Sequence, residues 1–162
     1  MTQYCTFYLG EKTYGLDILS IQEIVRLPDI TPVPHTPAFV AGLTNLRGQI
    51  VVAVDLRKLF GLPPLPRTQA PINIILSSKE ELLSLLADRA GDVIDFGDEA
   101  MVPPLSLQRG RTSDLIKGVF KLKDTLLNVI DTEAIFNDRN GIGDVKSAAA
   151  LQPGLVGETD VQ

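Results

Sequence analysis

The stretch GLTNLRGQIVVAVDLRKLF, residues 42–60, returns in diluted form as GVFKLKDTLLNVIDTEAIF, residues 118–136. The two align without a gap at an offset of 76. Gly42/Gly118, Leu46/Leu122, Asp55/Asp131 and Phe60/Phe136 are identical pairs. Arg47/Lys123, Ile50/Leu126, Val54/Ile130 and Leu59/Ile135 are conservative ones. Each copy reads as a turn, a buried strand and a short helix-like cap. Low identity alone would leave such a match to chance, but the earlier segments also match, at an offset of 69. Ile21–Val25 answers Ala90–Ile94, and Val33-Pro34 answers Val102-Pro103. A longer loop within Leu105–Leu115 accounts for the jump. The chain is one β unit built twice, and the seam between such twins is a natural place to hold a partner.

Working outward, Tyr4–Leu9 and Tyr14–Ile18 flank Gly10-Glu11-Lys12, a hairpin signature. A bend at Leu19-Ser20 leads into a strand running to Leu27. Prolines at 28, 32, 34 and 37 cannot donate to a ladder, so Pro28–Pro37 reads as a crossing loop. Ala38–Leu43 reads as a single helical turn ending at Gly42. Leu46-Arg47-Gly48-Gln49 is a tight turn in which Gly48 supplies a positive φ. Ile50–Val54 is an apolar strand, and Asp55 caps a short helix, Leu56–Phe60. Pro63–Pro71 crosses between the copies. Ile72–Leu76 and Val93–Phe96 read as strands, and Ile116–Leu122 with Leu126–Ile130 as a hairpin capped by Asp131. Composition favours helix for Leu82–Ala87, whereas the repeat sets it opposite Thr13–Ile18 and favours strand; we follow the repeat. Ile50, Val52, Val54, Leu126 and Ile130 are expected in the core. Gln108–Ser113 reads as an exposed loop, and Lys146–Leu151 as a weak helix within a flexible tail.

Composition limits function. With 44% hydrophobic and 22% charged residues the chain is globular. A net charge of −5 argues against nucleic acid and against an anionic membrane surface. No apolar run approaches the ~20 residues of a membrane span, and Met1-Thr2-Gln3 leads directly into the first strand without a leader pattern. Cys5 is the sole cysteine, which points to a reducing cytoplasm and a small core residue on the first strand. His35 is the sole histidine and reads as an exposed loop residue; a multi-histidine metal site is excluded. Asp95, Asp98 and Glu99, and Asp131 with Glu133, could serve a hydrolase or a divalent ion, but a solvated turn and a helix cap explain them more simply. No glycine-rich phosphate cradle is present, and no cofactor is expected. What remains suits binding: Arg47 on a rigid turn, able to fork onto one carboxylate, with Glu23 as the candidate partner if the turn folds over that strand.

At these residues the sequence resembles a family. YGLDILSIQEIV followed by ITPVPHTPAFVAGLTNLRGQIVVAVDLRKLFGL is similar to the CheW-like adaptors of bacterial chemotaxis, and the likeness continues more weakly through ADRAGDVIDF to about Phe136. The resemblance implies a mostly β fold: two intertwined five-stranded, Src-homology-3-like β-barrels with short helices. It sets a single domain at residues 1–140, with copies at roughly 4–62 and 72–137 exchanging strands, and a flexible tail at 141–162. It implies no catalysis and a cytoplasmic adaptor. That adaptor would join the regulatory domain of the histidine kinase CheA to the cytoplasmic tips of methyl-accepting chemoreceptors, or serve a related output such as pilus motility. It implies a partner surface made of Ile21, Glu23, Val25, Asn45, Leu46, Arg47 and Gly48 on the first barrel, with Ala90, Val93 and Leu107 on the second. Here Ile21 is the apolar groove residue, Arg47 the receptor-contacting arginine, and Leu107 a kinase-side or ring-forming contact. Three features depart from the family pattern: Ser84 stands where a glycine is usual, Asp88-Arg89-Ala90 replaces Asp-Gly-Val, and Asn73 interrupts an apolar strand.

Overall fold

In a computed structural model of the chain, the structure describes residues 1–104 and 114–137. Leu107, the loop expected at Gln108–Ser113, the helix expected at Lys146–Leu151 and the tail expected at 141–162 fall outside the described residues. The first copy supplies β1 (Thr2–Leu9), β2 (Lys12–Asp17), β3 (Ile21–Val25), β4 (Val40–Leu46), β5 (Gln49–Asp55) and helix α1 (Leu56–Leu59). The second supplies β6 (Ile72–Ser78), β7 (Glu81–Ala87), β8 (Arg89–Phe96), β9 (Ile116–Lys121), β10 (Leu126–Ile130) and helix α2 (Thr132–Phe136). Each strand of the first copy has its counterpart at the offsets of 69 or 76, and Leu82–Ala87 lies in a strand.

The strands assemble into two five-stranded sheets, ordered β8-β1-β2-β10-β9 and β3-β6-β7-β5-β4. Under the repeat these are one order, in which the first two strands of one copy join the last three of the other. The inner join is parallel in both, β10 on β2 and β5 on β7, while the remaining pairs are antiparallel. The sheets stay open rather than closing into barrels, but their arrangement fits the Src-homology-3-like class.

Local chemistry sets the corners. The β4–β5 turn holds both central residues at positive φ, Arg47 at 50° and Gly48 at 89°, the twist a two-residue hairpin requires. Asp55 and Asp131 cap their helices, accepting from the backbone N–H of Lys58 and Ala134.

Two expectations are corrected. Residues Ala38–Leu43 do not form a helical turn, because β4 begins at Val40 and its outer edge finds a partner. Thr31 and Leu43 exchange two backbone hydrogen bonds of 2.8 Å, so the proline loop extends the sheet. Gly42, at φ 146°, permits this approach, since a Cβ there would lie 2.2 Å from the Thr31 carbonyl oxygen. Leu126 is exposed rather than buried, because it opens its strand immediately after the turn, and Leu127 and Val129 carry the inner face. Its counterpart Ile50 is half-buried, whereas Val52, Val54 and Ile130 are core residues.

Among the described residues three apolar clusters result. The largest lies between the sheets and draws Phe7, Leu16, Val52, Val54, Ile74, Leu85 and Ile130 from both copies. Smaller clusters form on each sheet: Tyr4, Phe120, Leu127 and Val129 on one, Leu46, Val51 and Ile75 on the other. Cys5 is buried on β1, and His35 is exposed in the proline loop. A polar clamp joins the sheets at one end. Arg57 on α1 forks onto Asp88 at 2.8 and 2.5 Å, and the Gly10 N–H of the β1–β2 turn donates to the same carboxylate at 2.7 Å. The Arg57 guanidinium also donates to the Pro63 carbonyl.

Candidate functional site

Strand β3 is an edge strand, paired only with β6. Its ladder runs Ile24↔Ile74 and Val25↔Asn73, with a bulge between Ile21 and Glu23. Alternation leaves Gln22 and Ile24 outward, with Ile24 40% exposed. Ile21 is half-buried against the central cluster, and Val25 packs against the Leu46–Val51–Ile75 cluster.

The β4–β5 turn folds over this strand. Arg47 donates from Nη1 to Glu23 Oε1 at 2.5 Å and from Nη2 to Oε2 at 2.6 Å, a two-pronged fork. Asn45 stiffens the turn by accepting the Gly48 N–H at 2.7 Å. Hydrogen bonds from Arg47 hold the Glu23 carboxyl below its ordinary pKa. The Arg47 side chain is 66% exposed, so the pair adds little stability and acts instead to position the guanidinium. The result is a charged fork beside a half-buried isoleucine on an open sheet edge.

The structure thus brings together Ile21, Glu23, Asn45, Arg47 and Gly48, with Val25 packed beneath them. Leu46, expected on the partner surface, is a core residue at 3% exposure. As the last residue of β4 it points inward, anchoring the turn from below. Ala90 and Val93 lie on β8, the edge strand of the other sheet, apart from the Arg47 flank. Ile24, which the sequence places among the binding features beside Ile21 and Glu23, is exposed like its counterpart at offset 69, Val93, which is 49% exposed. The acidic run of the second copy is partly engaged: Asp98 accepts from the Thr2 hydroxyl at 3.2 Å.

Open twin sheets with a forked arginine on one edge and exposed apolar side chains on both define a binding module. A family model described as the CheW-like domain matches residues 3–140, and the chain belongs to that family. It is similar to the Chemotaxis protein CheW of Treponema pallidum (strain Nichols), 32% identical over 141 residues that cover 85% of this chain and 83% of that protein. It is likewise similar to the Chemotaxis protein CheW of Bacillus subtilis (strain 168), 29% identical over 81% of this chain and 84% of that one. Among solved structures it is similar to the scaffolding protein TtCheW of Thermoanaerobacter tengcongensis, with a TM-score of 0.74, 29% identity, and coverage of 85% of this chain and 89% of that chain. The chain is therefore a chemotaxis adaptor of the CheW type and not an enzyme. Among the described residues no helix is long and apolar enough to cross a membrane.

Proposed function

We propose that this adaptor couples the histidine kinase CheA, through that kinase's regulatory domain, to the cytoplasmic tips of methyl-accepting chemoreceptors, and that it works in the cytoplasm. The observation that carries the reading is the Glu23–Arg47 fork on the β3 edge. A receptor tip is helical, and an amphipathic helix needs an apolar socket and a fixed hydrogen-bond donor to set its register. Ile21 supplies the apolar contact. Arg47 supplies the donor, held ready by Glu23 and by the Asn45-Gly48 turn. Val25 supports the strand from beneath. The kinase takes the other edge, through Ala90 and Val93 on β8.

The test is Arg47→Ala, titrated separately against a receptor-tip hairpin and against the kinase regulatory domain. Loss of a preorganised, charge-assisted anchor should weaken receptor binding by about tenfold or more. The fold should survive, because a turn-tip side chain carries little packing, and kinase binding should be unchanged. Unchanged receptor affinity would refute the assignment of this flank.

A further inference from the structure

Two of the buried polar side chains of the second sheet face each other across β6 and β7. Asn73 on β6 is 1% exposed and Ser84 on β7 is 0% exposed. Their counterparts at offset 69 are Tyr4 and Gly15, a large ring and a glycine. Asn73 Nδ2 donates to Ser84 Oγ at 3.0 Å, and Asn73 Oδ1 accepts the backbone N–H of Leu27 at 2.9 Å. Two features that depart separately from the family pattern are thus one bonded unit. A buried amide is costly unless its hydrogen bonds are made, and made well it favours one arrangement over its neighbours.

The place where it acts is informative. The β3–β6 ladder ends at Val25↔Asn73. Leu27 lies two residues further on, and its N–H is held by a side chain instead of a ladder partner. Arg26 adds a bond from Nη1 to the Ala70 carbonyl at 3.0 Å. Leu27 in turn packs on the Leu46–Val51–Ile75 cluster that underlies the Arg47 turn. Strand β3 needs such a clasp, because it is paired on one side only and bulged in its middle. A one-residue slip would turn Glu23 away from Arg47 and Ile21 away from the core.

We propose that Asn73, oriented by Ser84, is a positioning residue that clasps the end of β3 and fixes its register, and so governs how Ile21 and Glu23–Arg47 meet the receptor helix. This rests on the coupling role proposed above.

Three variants of the full chain test it: Ser84→Ala, Asn73→Leu, and the two combined. The combined variant fills the site with apolar atoms and leaves no orphaned hydroxyl, so it folds even if Asn73→Leu alone does not. Two quantities are read, the exchange rate of the Leu27 amide relative to Leu85, and affinity for the receptor tip and the kinase domain. In the combined variant Leu27 exchange should quicken about tenfold, as for loss of one net hydrogen bond. Receptor affinity should fall several-fold while kinase affinity holds. Ser84→Ala alone keeps the Leu27 bond and should stay within about twofold of wild type in receptor affinity, since it removes only the second bond of the amide. Faster Leu27 exchange with unchanged receptor affinity would make the clasp merely structural. Unchanged exchange would show that there is no clasp. If the wild-type chain itself fails to bind the receptor tip, the coupling role falls and the presentation role with it, whereas the exchange data stand independently.

Discussion

Removing the Asp88 carboxylate tests how the sheets are joined. Asp88 sits at the corner where β7 of one sheet passes into β8 of the other, and it receives three charge-assisted or backbone donors, two from Arg57 and one from Gly10. The Asp88 and Arg57 side chains are 10% and 13% exposed. Breaking a fully buried pair costs about 3–5 kcal/mol, and an exposed one is worth about 0–1 kcal/mol. With a tenth of each side chain wet, and the Gly10 N–H able to find water, Asp88→Ala should cost about 2–3 kcal/mol. For a chain of this size m in urea is about 2 kcal/mol/M, so the midpoint should fall by about 1 M. The chain has no tryptophan, so circular dichroism is the suitable probe. A double-mutant cycle with Arg57→Ala should return a coupling of at least about 1 kcal/mol. Acid gives a second reading. Burial pushes the Asp88 carboxyl up, but the Arg57 and Gly10 hydrogen bonds and the Arg57 charge outweigh it, leaving the pKa below the ordinary value. A depressed carboxyl contributes its full stability above the unfolded value and loses it as pH falls through the folded one. Wild type should therefore lose its advantage over Asp88→Ala below about pH 4. A coupling under about 0.5 kcal/mol with parallel pH profiles would refute the clamp.

Two further substitutions probe the fold. Val52→Asp places an unpaired charge at a 2% exposed site in the central cluster, at a cost of several kcal/mol, on the order of the whole stability; the variant should be unfolded by circular dichroism at about 25 °C. Gly42→Ala should lower the melting temperature more than Gly48→Ala, because only the former meets backbone, at 2.2 Å from the Thr31 oxygen, while nothing lies within 4 Å of a Cβ at Gly48.

Much of the architecture was legible in the sequence because its signals are local. Gly48 marks the turn, Asp55 and Asp131 mark the caps, and the duplication decides Leu82–Ala87 against its own helix-favouring composition. What escaped depends on partners distant in sequence. Nothing near Ala38–Leu43 announces that Thr31 will bridge to Leu43. Leu126 and its repeat partner Ile50 both read as core strand residues, although neither faces fully inward so soon after the turn. Asn73 and Ser84 each resembled a flaw, because their bond exists only once β6 and β7 are in register. The Arg57–Asp88 clamp joins residues 31 apart, and no motif links them. Within the candidate site, Arg47 and Glu23 could be paired in advance because a turn arginine needs a carboxylate. Leu46 could not be assigned to the core until the direction of the last β4 residue was known.

The shared sheet order also imposes a timetable on synthesis. The β3-β6-β7-β5-β4 sheet has all its strands once residue 87 has emerged from the ribosome. The other sheet must wait for β10, which ends at residue 130. Through that interval β1 and β2, the first strands made, can lay Phe7 and Leu16 on the finished sheet, but their outer ladder edges have no neighbours. The bond from Asn128 to the Thr13 carbonyl spans 115 residues. Long-range pairing of this kind is slow, and an unpaired strand edge invites pairing with another chain. A nascent or prematurely terminated chain that stops short of β8 therefore carries a structured half beside an open hairpin, the form in which this protein is most exposed to aggregation.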